Sequence, residues 1–367
     1  MTAVNSYAAA GVDVAAGERA VALMRAAVQS TQRPESVGDF GGFAGLFDAS
    51  RLARYRRPLL ATSTDGVGTK VAIAQALERY DTIGIDLVAM IVDDLVVCGA
   101  EPLFLTDYIA TGAVVPERIA AIVSGIAEGC RQAGCALLGG ETAEHPGLMA
   151  PDDFDLAGAG TGVVEADQLL GPARVQVGDH LIAMAASGLH ANGFSLVRAI
   201  LGNPDGSALN AQPEGLPSTL GALLLEPTRI YAQDCLALAA AEWVHAFSHI
   251  TGGGLAANIA RVLPEHCTAV VERGSWTLPP LITYLGQHGG VDEAELERTF
   301  NMGVGMVAVV PPDRSGAALE LLAARGLPAW LCGEVRQRRT EDHSDGAPKG
   351  GHGGVAQLRG SYSTSAS

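Results

Sequence analysis

The sequence predicts an α/β protein of two domains. Strand-like and helix-like segments alternate through most of the chain, a pattern typical of sheets covered by helices. The chain has 367 residues, 48% of them hydrophobic, which is enough to bury a large core and more than one domain usually contains. A turn at Gly171-Pro172 interrupts the periodicity. We therefore expect a first domain over residues 1–170, a second over 171–337 and a tail over 338–367.

In the first half, apolar runs and their spacing predict alternating strands and helices. The amphipathic segment that starts at Pro116 has its proline at a position where helices commonly begin. The predicted elements, in order, are a strand Pro58–Thr64, a helix Ile85–Cys98, a strand Leu103–Ile109, a helix Pro116–Ala133, and strands Cys135–Leu138 and Phe154–Glu165.

The second half repeats this alternation. The predicted strands are His180–Ala185, Ala246–Ile250, Val304–Val310 and Ala329–Cys332, and the predicted helices are Gly193–Leu201, Thr228–Ala241, Gly254–Val262 and Ser315–Arg325. The tail over 338–367 is rich in Gly, Ser and charged residues. Because it has few apolar residues to offset the entropy lost on ordering, we expect it to be disordered and dispensable.

Composition excludes several classes of protein. The formal net charge of -16 argues against a nucleic-acid surface, because phosphate contacts require clustered Lys and Arg. The longest apolar stretch, Ile83–Val97, is interrupted by three aspartates, so no membrane span is predicted. The N-terminus lacks the features of a signal peptide, which predicts a cytoplasmic location. The six cysteines show no CxxC spacing, so we expect reduced core residues rather than a zinc site or disulfides.

Three carboxylates, Asp65, Asp94 and Glu141, each lie where an apolar run meets glycine or turn residues. Such carboxylates suit Mg²⁺, which binds a few carboxylate oxygens and completes its shell with water and phosphates. No GxxxxGK[ST] string occurs, so the sequence predicts an ATP site without a P-loop. Read alone, the string Asp65-Gly66-Val67-Gly68 is equally typical of a structural turn.

Neighbouring features support this site. Asp93 and Asp94 lie side by side in a helical pattern, so their side chains point about 100° apart, and we expect Asp94 to face the site. Gly139-Gly140 lets the backbone approach an anion, although a tight turn capped by Thr142 fits the same string. The glycine-rich run Gly38–Gly45 suits a mobile flap over phosphates.

Two loops of the second half combine histidine, polar residues and glycine. Ser187–Ser195 contains His190 and Asn192, and His249–Gly254 ends in three glycines before a predicted helix. Three glycines at a helix start fit a phosphate bound by the helix N-terminus. A single histidine in such a loop is also commonly structural, so each loop alone leaves both interpretations open.

Taken together and in this order, these segments resemble the phosphoribosylformylglycinamidine cyclo-ligase family of the purine pathway, also called aminoimidazole ribonucleotide synthetases. The first departure from the family is Ala8-Ala9 in place of a frequent Lys-Asp, which puts a phosphate contact there in doubt; the second is Asp93 in place of a frequent Asn. The matching strings cover nearly everything except the tail: Tyr7–Asp13, Ser63–Lys70, Asp86–Tyr108, Gly139–Gly147, Gly188–Ser195, Glu226–Thr228, His249–Gly254 and Phe300–Gly305.

The resemblance implies an N-terminal α+β domain that holds the ATP site and pairs with its copy in a homodimer, followed by a C-terminal α/β domain. It implies Mg²⁺ and ATP as cofactors and a small ribonucleotide as substrate. In the implied reaction, formylglycinamidine ribonucleotide and ATP give aminoimidazole ribonucleotide, ADP and phosphate. Lys70 would neutralise phosphate charge, and His190 would transfer a proton or orient the substrate.

The residues implied by the resemblance form three sets. The metal ligands are Asp65, Asp94 and Glu141, and the catalytic residues are His190, Asp94 and Lys70. The nucleotide-binding residues are Asp65, Gly66, Gly68, Thr69, Lys70, Asp94, Asp107, Gly139, Gly140, Glu141 and Thr142. The substrate-binding residues are Ser187, Gly188, His190, Asn192, Gly193, Thr251, Gly252, Gly253 and Gly254.

Three alternative functions share the predicted ATP site. A selenophosphate synthetase would have a reactive Cys or selenocysteine in its N-terminal glycine-rich loop, and Gly38–Gly45 has none. A thiamine monophosphate kinase is a second relative with the same ATP site. A non-catalytic dimer that only senses ATP would need Asp65 and Asp94 but neither His190 nor the second glycine loop.

Overall fold

The computed structural model describes residues 13–38, 41–348 and 350–363. The chain divides into two compact units, and the main boundary lies between Ala166 and Asp167. The boundary predicted from sequence lay four residues later, between 170 and 171. The N-terminal unit comprises Met1–Leu95 and Glu101–Ala166. The C-terminal unit comprises Asp167–Ser367 together with the short segment Val96–Ala100.

The N-terminal unit contains a four-stranded sheet, a two-stranded ribbon and four helices among its described residues. The sheet has the strand order β3-β6-β4-β5, and only its β4·β5 pair is parallel. Its elements are α1 (Val14–Gln29), β1 (Ser36–Val37), β2 (Leu46–Phe47), β3 (Pro58–Gly66), α2 (Val71–Leu77), α3 (Ile83–Val96), β4 (Glu101–Thr111), α4 (Pro116–Ala133), β5 (Ala136–Glu144) and β6 (Phe154–Glu165).

Helix α3 covers one face of this sheet. A Cβ added to Gly158 of β6 would lie 2.8 Å from Ile91 Cδ1, and one added to Gly160 would lie 2.6 Å from Ile91 Cγ2 and 3.2 Å from Leu95 Cδ1. The glycines of β6 therefore let the helix approach the sheet closely. Leu87, Ile91 and Leu95 are fully buried in this layer.

The opposite face of the sheet is open in the single chain. Thr62 and Thr64 of β3 and Thr106 of β4 are exposed there. Leu60 and Tyr108 share this face and have 64% and 42% of their surface exposed. An antiparallel sheet needs only one buried face, but apolar groups on the second face indicate a surface that another element covers.

Strand β5 is longer than the sequence predicts. The expected strand ended at Leu138, whereas β5 continues to Glu144, so the string Gly139–Thr142 lies within a strand. The tight turn that was the alternative interpretation of this string is not formed. Parallel pairing with β4 supplies backbone partners for this part, after a register shift between Leu105 and Thr106. A partner strand distant in sequence thus overrides the local preference of two glycines.

The C-terminal unit is built on a six-stranded sheet with the order β12-β9-β11-β7-β10-β8. Its pairs are antiparallel except β12·β9. The elements are β7 (His180–Ala185), α5 (Phe194–Ile200), α6 (Gly206–Leu209), α7 (Leu220–Leu224), α8 (Ala232–Ala240), β8 (Ala246–His249), α9 (Gly254–Arg261), β9 (Cys267–Glu272), α10 (Pro280–Gly289), α11 (Glu293–Thr299), β10 (Val304–Val310), α12 (Ser315–Ala324), β11 (Ala329–Gln337) and β12 (Val355–Arg359).

Strand β10, which lies between β7 and the edge strand β8, is apolar along its whole length, and this fits burial of both of its faces. All seven residues of β10 are buried, as are all four of β8. Helix α9 contributes Leu255, Ile259 and Ala260 to the same core. Among the residues that the structure describes, every helix is too short or too polar to cross a membrane.

The expectation that residues 338–367 are disordered is wrong for the described part of that segment. Strand β12 pairs in parallel with β9, from Val355 opposite Thr268 to Arg359 opposite Glu272. Val355, Ala356 and Leu358 are buried in the core of the C-terminal unit. A few apolar residues are sufficient here because an existing sheet edge provides backbone partners and an apolar surface.

An ion pair fixes the turn that leads to β12. Both carboxylate oxygens of Asp342 accept hydrogen bonds from Arg336, at 2.7 and 2.6 Å. The Thr268 hydroxyl donates to the same carboxylate at 2.8 Å, and so does the Arg339 amide at 2.7 Å. The Arg336 guanidinium, followed by these further donors, holds the pKa of Asp342 well below its usual range. The resulting stabilisation is present above the unfolded-state pKa and is lost as the pH falls through the folded-state value.

We expect Leu358→Ala to lower the free energy of unfolding by about 2–4 kcal/mol, because it leaves a cavity beneath β12. The melting temperature should fall by roughly 4–10 °C, measured by calorimetry or circular dichroism. Leu331→Ala is the matched control, since Leu331 lies on β11 in the same sheet but is 46% exposed. Equal melting temperatures for the two variants would contradict the docking of β12.

Candidate active site

Sheet register aligns several predicted nucleotide residues in one row of the N-terminal unit. Asp65 pairs with Gly158, Gly158 pairs with Asp107, and Asp107 pairs with Gly140, so the row crosses all four strands. Paired residues project to the same face, and Gly158 faces α3. The side chains of Asp65 and Asp107 therefore point to the helix-covered side of the sheet.

Asp107 is held against Gly140. A Cβ added to Gly140 would lie 1.9 Å from Asp107 Oδ1, so only glycine leaves room for this carboxyl group. Burial raises the pKa of Asp107 to about 7, opposed by a hydrogen bond to its own backbone. A carboxyl group that titrates near neutral pH is an unusual feature and marks a candidate functional position.

Glu141 occupies the other face. It pairs with Tyr108 one position beyond the Asp107–Gly140 pair, so its exposed side chain points to the open side of the sheet. Strands β3 and β5 are the two edges of the sheet, three strand spacings or roughly 14 Å apart. Asp65 and Glu141 of one chain thus lie at opposite edges and on opposite faces, while Thr142 returns to the face of Ile109 and α3.

The structure does not bring Asp65, Asp94 and Glu141 together as one ligand set, which corrects the expectation from sequence. In the described part of the chain, no three or more His, Cys, Asp or Glu side chains converge as a metal site. Asp65 and Asp94 do share the helix side of the sheet, since Asp94 belongs to α3. Their carboxylates are hard oxygen donors that fit Mg²⁺, which commonly uses one or two protein carboxylates.

The side chains of Asp93 and Asp94 diverge as the helical pattern predicts. Asp93 is completely buried, whereas Asp94 is exposed.

The segment after β3 forms a short 3-10 turn over Gly68–Lys70, in which Gly68 has a φ of 68° and Thr69 is partly buried. At the end of β3, Asp65 Oδ1 accepts a 2.7 Å hydrogen bond from the Gly66 amide.

Lys70 is buried in an ion pair, whereas it was expected from the sequence to bind the nucleotide. Its Nζ is 2.8 Å from Asp86 Oδ1, and both side chains have no exposed surface. The ammonium group is therefore not presented to solvent, and the expected direct contact with phosphate is corrected to a buried ion pair. The pair joins the 3-10 turn after β3 to the first turn of α3.

Two further segments fall wholly or partly outside the described residues. Ala8-Ala9 lies in the undescribed N-terminal part, so the structure places no contact there. Of the predicted flap Gly38–Gly45, residues 39 and 40 are not described. The described remainder is Gly38 and the part from Gly41 to Gly45. It includes the fully exposed Phe43, and Gly45 packs against Leu138.

In the C-terminal unit, four loops meet beside the ends of β7, β8 and β10. The Gly252 amide donates to Asn192 Oδ1 at 3.0 Å, which joins the two glycine loops that the sequence singled out. Ser187 Oγ donates to the Pro227 carbonyl at 2.6 Å and accepts from the Arg229 amide at 3.1 Å. The structure thus brings the predicted substrate residues Ser187, Gly188, His190, Asn192, Gly193, Thr251, Gly252, Gly253 and Gly254 into one connected set of loops.

His190 is buried in this set, with 1% of its surface exposed and a φ of 62°. The Ser187 amide donates to its Nε2 at 3.3 Å, and its ring centroid lies 6.1 Å from that of Tyr231. A Cβ at Gly305 would lie 2.4 Å from His190 Cε1, so glycine is required beneath the ring. Of the two expected roles, proton transfer and orientation of the substrate, this enclosure favours orientation.

The second glycine loop leads into α9. Gly253 and Gly254 have φ values of 103° and 73°, which glycine adopts without strain. Asn258 Nδ2 donates to the carbonyls of Thr251 and Gly254 at 3.1 and 2.8 Å. Its amide thus holds the loop against the first turn of the helix.

Two residues of this set were not predicted from sequence. Asn301 Nδ2 donates to the Gly188 carbonyl at 2.8 Å, and Asn301 Oδ1 accepts from the Gly303 amide at 2.9 Å. Asn301 stands in a glycine-flanked string that the resemblance covers, and its polar side chain between Phe300 and Met302 was the available signal. Tyr231, whose hydroxyl donates to the Ala185 carbonyl at 2.8 Å, gives no such signal.

Family models match both units. The AIR synthase related protein N-terminal domain matches residues 48–164, and the AIR synthase related protein C-terminal domain matches residues 176–345. These matches confirm the predicted mixed helix and sheet fold class with an N-terminal and a C-terminal domain of this type.

Solved structures of proteins with low sequence identity share the fold. The thiamine-monophosphate kinase from Stenotrophomonas maltophilia K279a superposes with a TM-score of 0.61 at 19% identity, covering 92% of this chain and 95% of its own. The hydrogenase maturation protein HypE in complex with ATP gives a TM-score of 0.62 at 18% identity, covering 89% and 88%.

Curated relatives are much more similar. The phosphoribosylformylglycinamidine cyclo-ligase of Geobacillus kaustophilus (strain HTA426) is 50% identical over 90% of this chain and 95% of its own length. That of Thermosynechococcus vestitus (strain NIES-2133 / IAM M-273 / BP-1) is 52% identical over 90% and 96%. With this identity along nearly the whole of both sequences, the chain belongs to the phosphoribosylformylglycinamidine cyclo-ligase family.

Proposed function

We propose that the protein catalyses the ATP-dependent ring closure of formylglycinamidine ribonucleotide to aminoimidazole ribonucleotide, with release of ADP and phosphate. The observation that carries the proposal is identity of about 50% with enzymes of this name over 90% of the chain. The row of Asp65, Asp107 and Gly140 and the connected loops of the C-terminal unit support it, because they supply two different sets of polar groups.

The chemistry requires activation of an amide oxygen, which is a poor leaving group. Transfer of the γ-phosphoryl group of ATP to this oxygen gives an imidate phosphate and ADP. A nitrogen of the same substrate then attacks the activated carbon, and phosphate leaves as the five-membered ring closes. Because this attack is intramolecular, the protein gains a large rate advantage by holding the substrate in a reactive conformation.

The N-terminal unit is the proposed nucleotide site. Asp65 and Asp94 are the residues that would hold Mg²⁺, and the ion would neutralise charge on the phosphate oxygens when bound. Gly66, Gly68 and Thr69 follow Asp65 and offer backbone close to the same end of β3. Lys70 acts indirectly in this proposal, by fixing that turn to α3 through Asp86.

The C-terminal unit is the proposed ribonucleotide site. Gly253 is the N-cap of α9 and Gly254 is its first residue, and the Gly254 amide donates to the Thr251 carbonyl at 3.1 Å. The positive end of the helix dipole would stabilise a phosphate group placed at this end of the helix.

Asn192 positions the Thr251–Gly254 loop by accepting a hydrogen bond from the Gly252 amide. His190 positions the neighbouring Ser187–Gly193 loop by accepting one from the Ser187 amide. In this proposal the Gly252–Gly254 segment binds the phosphate group, while Asn192 and His190 orient the loops.

The direct test is incubation of the purified protein with formylglycinamidine ribonucleotide and Mg-ATP. We expect aminoimidazole ribonucleotide, ADP and phosphate in equal amounts. Thiamine monophosphate and selenide, the substrates of the two alternative enzymes, are tested in separate incubations and should give no product. ATP binding without turnover of any of the three substrates would support the ATP-sensing alternative instead.

We expect Asp94→Asn to abolish turnover while the melting temperature stays within a few degrees of wild type. The side chain is exposed, so its charge matters more for a metal ion than for packing. Steady-state assays over a range of Mg²⁺ concentrations measure the effect. Asp313→Asn is the control, because Asp313 is an exposed aspartate of the C-terminal unit. Full activity of Asp94→Asn at ordinary Mg²⁺ would remove Asp94 from the site.

We expect His190→Asn to lower kcat/KM by roughly 10²-fold or more, the scale seen when a positioning or proton-transfer group is lost. Asparagine tolerates the left-handed backbone at this position, so the loop conformation is retained better than with alanine. Calorimetry with a non-hydrolysable ATP analogue should give near-normal affinity. Wild-type turnover would reject the assignment, and lost analogue binding would move His190 into the nucleotide site.

We further propose that the protein is a homodimer that pairs through the open face of the N-terminal sheet. The proposal is supported by the exposed Leu60 and Tyr108, which share this face with exposed threonines. A second copy fits best as the occupant, since the same face on both chains gives a self-complementary contact around a two-fold axis. Glu141 shares this face and would lie at or near the contact.

We expect Leu60→Asp to convert the dimer to a monomer, because it introduces a charge into the proposed contact. Light scattering coupled to size exclusion measures the molar mass. Leu148→Asp is the control, since Leu148 is 84% exposed in the loop between β5 and β6. A wild-type monomer, or an unchanged mass in Leu60→Asp, would contradict this interface.

The cytoplasm is the location we propose for this enzyme. All six cysteines are free thiols, five of them buried, and none forms a disulfide. Thiols of this kind are typical of a reducing compartment.

A further inference from the structure

Tyr362, in the segment that follows β12, joins two parts of the C-terminal unit. Its hydroxyl donates to Glu297 Oε1 at 2.6 Å. Its ring packs edge-to-face on Trp276 with centroids 5.2 Å apart. Ser363 adds a backbone hydrogen bond from its amide to the Trp276 carbonyl at 3.2 Å. The aromatic ring is thus held from two sides and is only partly exposed.

The first connection runs through Glu297 to the glycine loop. Arg273 donates to both carboxylate oxygens of Glu297, at 2.6 and 2.9 Å, and also to the Leu358 carbonyl of β12. Hydrogen bonding to Glu297 raises the pKa of Arg273. The main-chain carbonyl of Glu297 lies so close to Gly254 that an added Cβ would be 1.7 Å from its oxygen. A shift of α11 would therefore move the start of α9.

The second connection runs through Trp276 to the other substrate loop. Trp276 Nε1 donates to the Met302 carbonyl at 2.9 Å. Asn301, the preceding residue, donates to the Gly188 carbonyl at 2.8 Å. Met302 and Gly303 both have left-handed backbone conformations, with φ values of 52° and 93°. This strained turn needs support from its neighbours, and the Trp276 indole supplies one such contact.

We propose that Tyr362 is a positioning residue for ribonucleotide binding, acting through Glu297 on the Thr251–Gly254 loop and through Trp276 on the Ser187–Gly193 loop. The proposal rests on the proposed function, in which these loops hold the ribonucleotide. The hydroxyl of Tyr362 bonds Glu297 and its ring packs on Trp276, and neither of these partners belongs to the two loops. It limits the movement of the elements on which both loops depend, so its loss weakens substrate binding and leaves the chemical step nearly unchanged.

Tyr362→Phe tests the hydroxyl while keeping the ring against Trp276. Loss of one hydrogen bond to a carboxylate should raise KM for the ribonucleotide by about 3- to 10-fold. We expect kcat and the KM for ATP to stay within about twofold of wild type, because a more mobile ribonucleotide loop affects neither the chemical step nor ATP binding. Tyr284→Phe is the matched control, as Tyr284 stacks on His288 of α10 outside this network.

Hydrogen exchange in the unliganded protein gives a second readout that needs no substrate. Amides in the peptide that covers 251–254 should exchange faster in Tyr362→Phe than in wild type or Tyr284→Phe, because the lost hydroxyl acts through Glu297. Amides over 187–193 should change less, since the ring contact with Trp276 is kept. Unchanged exchange over 251–254 would overturn the proposal, and so would a parallel rise in KM for ATP and ribonucleotide. If the wild type fails to turn over the ribonucleotide, the proposed function fails, while the exchange data still decide whether Tyr362 controls the loops.

Glu297→Gln is a second variant that keeps side-chain size but removes the charge that Arg273 binds. It should affect the Thr251–Gly254 loop more than the Ser187–Gly193 loop, because only the first connection passes through Glu297. Equal increases of hydrogen exchange in both loops would show that the whole unit is loosened. That result would overturn the proposal of two separate connections.

Discussion

The N-terminal site depends on one buried ion pair, between Lys70 and Asp86. The pair joins the turn after β3 to α3. Asp65 lies at the end of β3, next to this turn, and Asp94 lies on α3. Removing one member of such a pair leaves an uncompensated buried charge, at a cost of about 3–5 kcal/mol. The position of two exposed or partly exposed carboxylates is therefore set by two charges that never contact solvent.

The elements with strong local signals were predictable from sequence. Helix α4 starts at Pro116 and ends at Ala133 as predicted, because the proline, the apolar spacing and the left-handed Gly134 that follows all lie within the helix or beside it. Strands β6, β7 and β10 also have their predicted bounds. The continuation of β5 and the existence of β12 were missed, because each depends on a partner strand that is distant in sequence.

The site shows the same division between local and non-local information. The divergence of Asp93 and Asp94 follows from helical geometry alone, and the structure agrees with it. The burial of Lys70 could not be inferred, because it depends on Asp86 reaching the same point from another helix. The separation of Asp65 from Glu141 is a property of strand order and register, neither of which a single sequence specifies.

Strand β12 has a consequence for how the C-terminal unit is made. It follows β11 after a long connection and covers the outer edge of β9, which comes much earlier in the chain. Until β12 has been synthesised, β9 presents unpaired backbone groups that can pair with another chain. During translation the nascent sheet thus has an open edge for the time needed to make about eighty residues at roughly 5–20 residues per second. Aggregation in this interval competes with folding, so loss of β12 should first appear as a lower yield of folded protein.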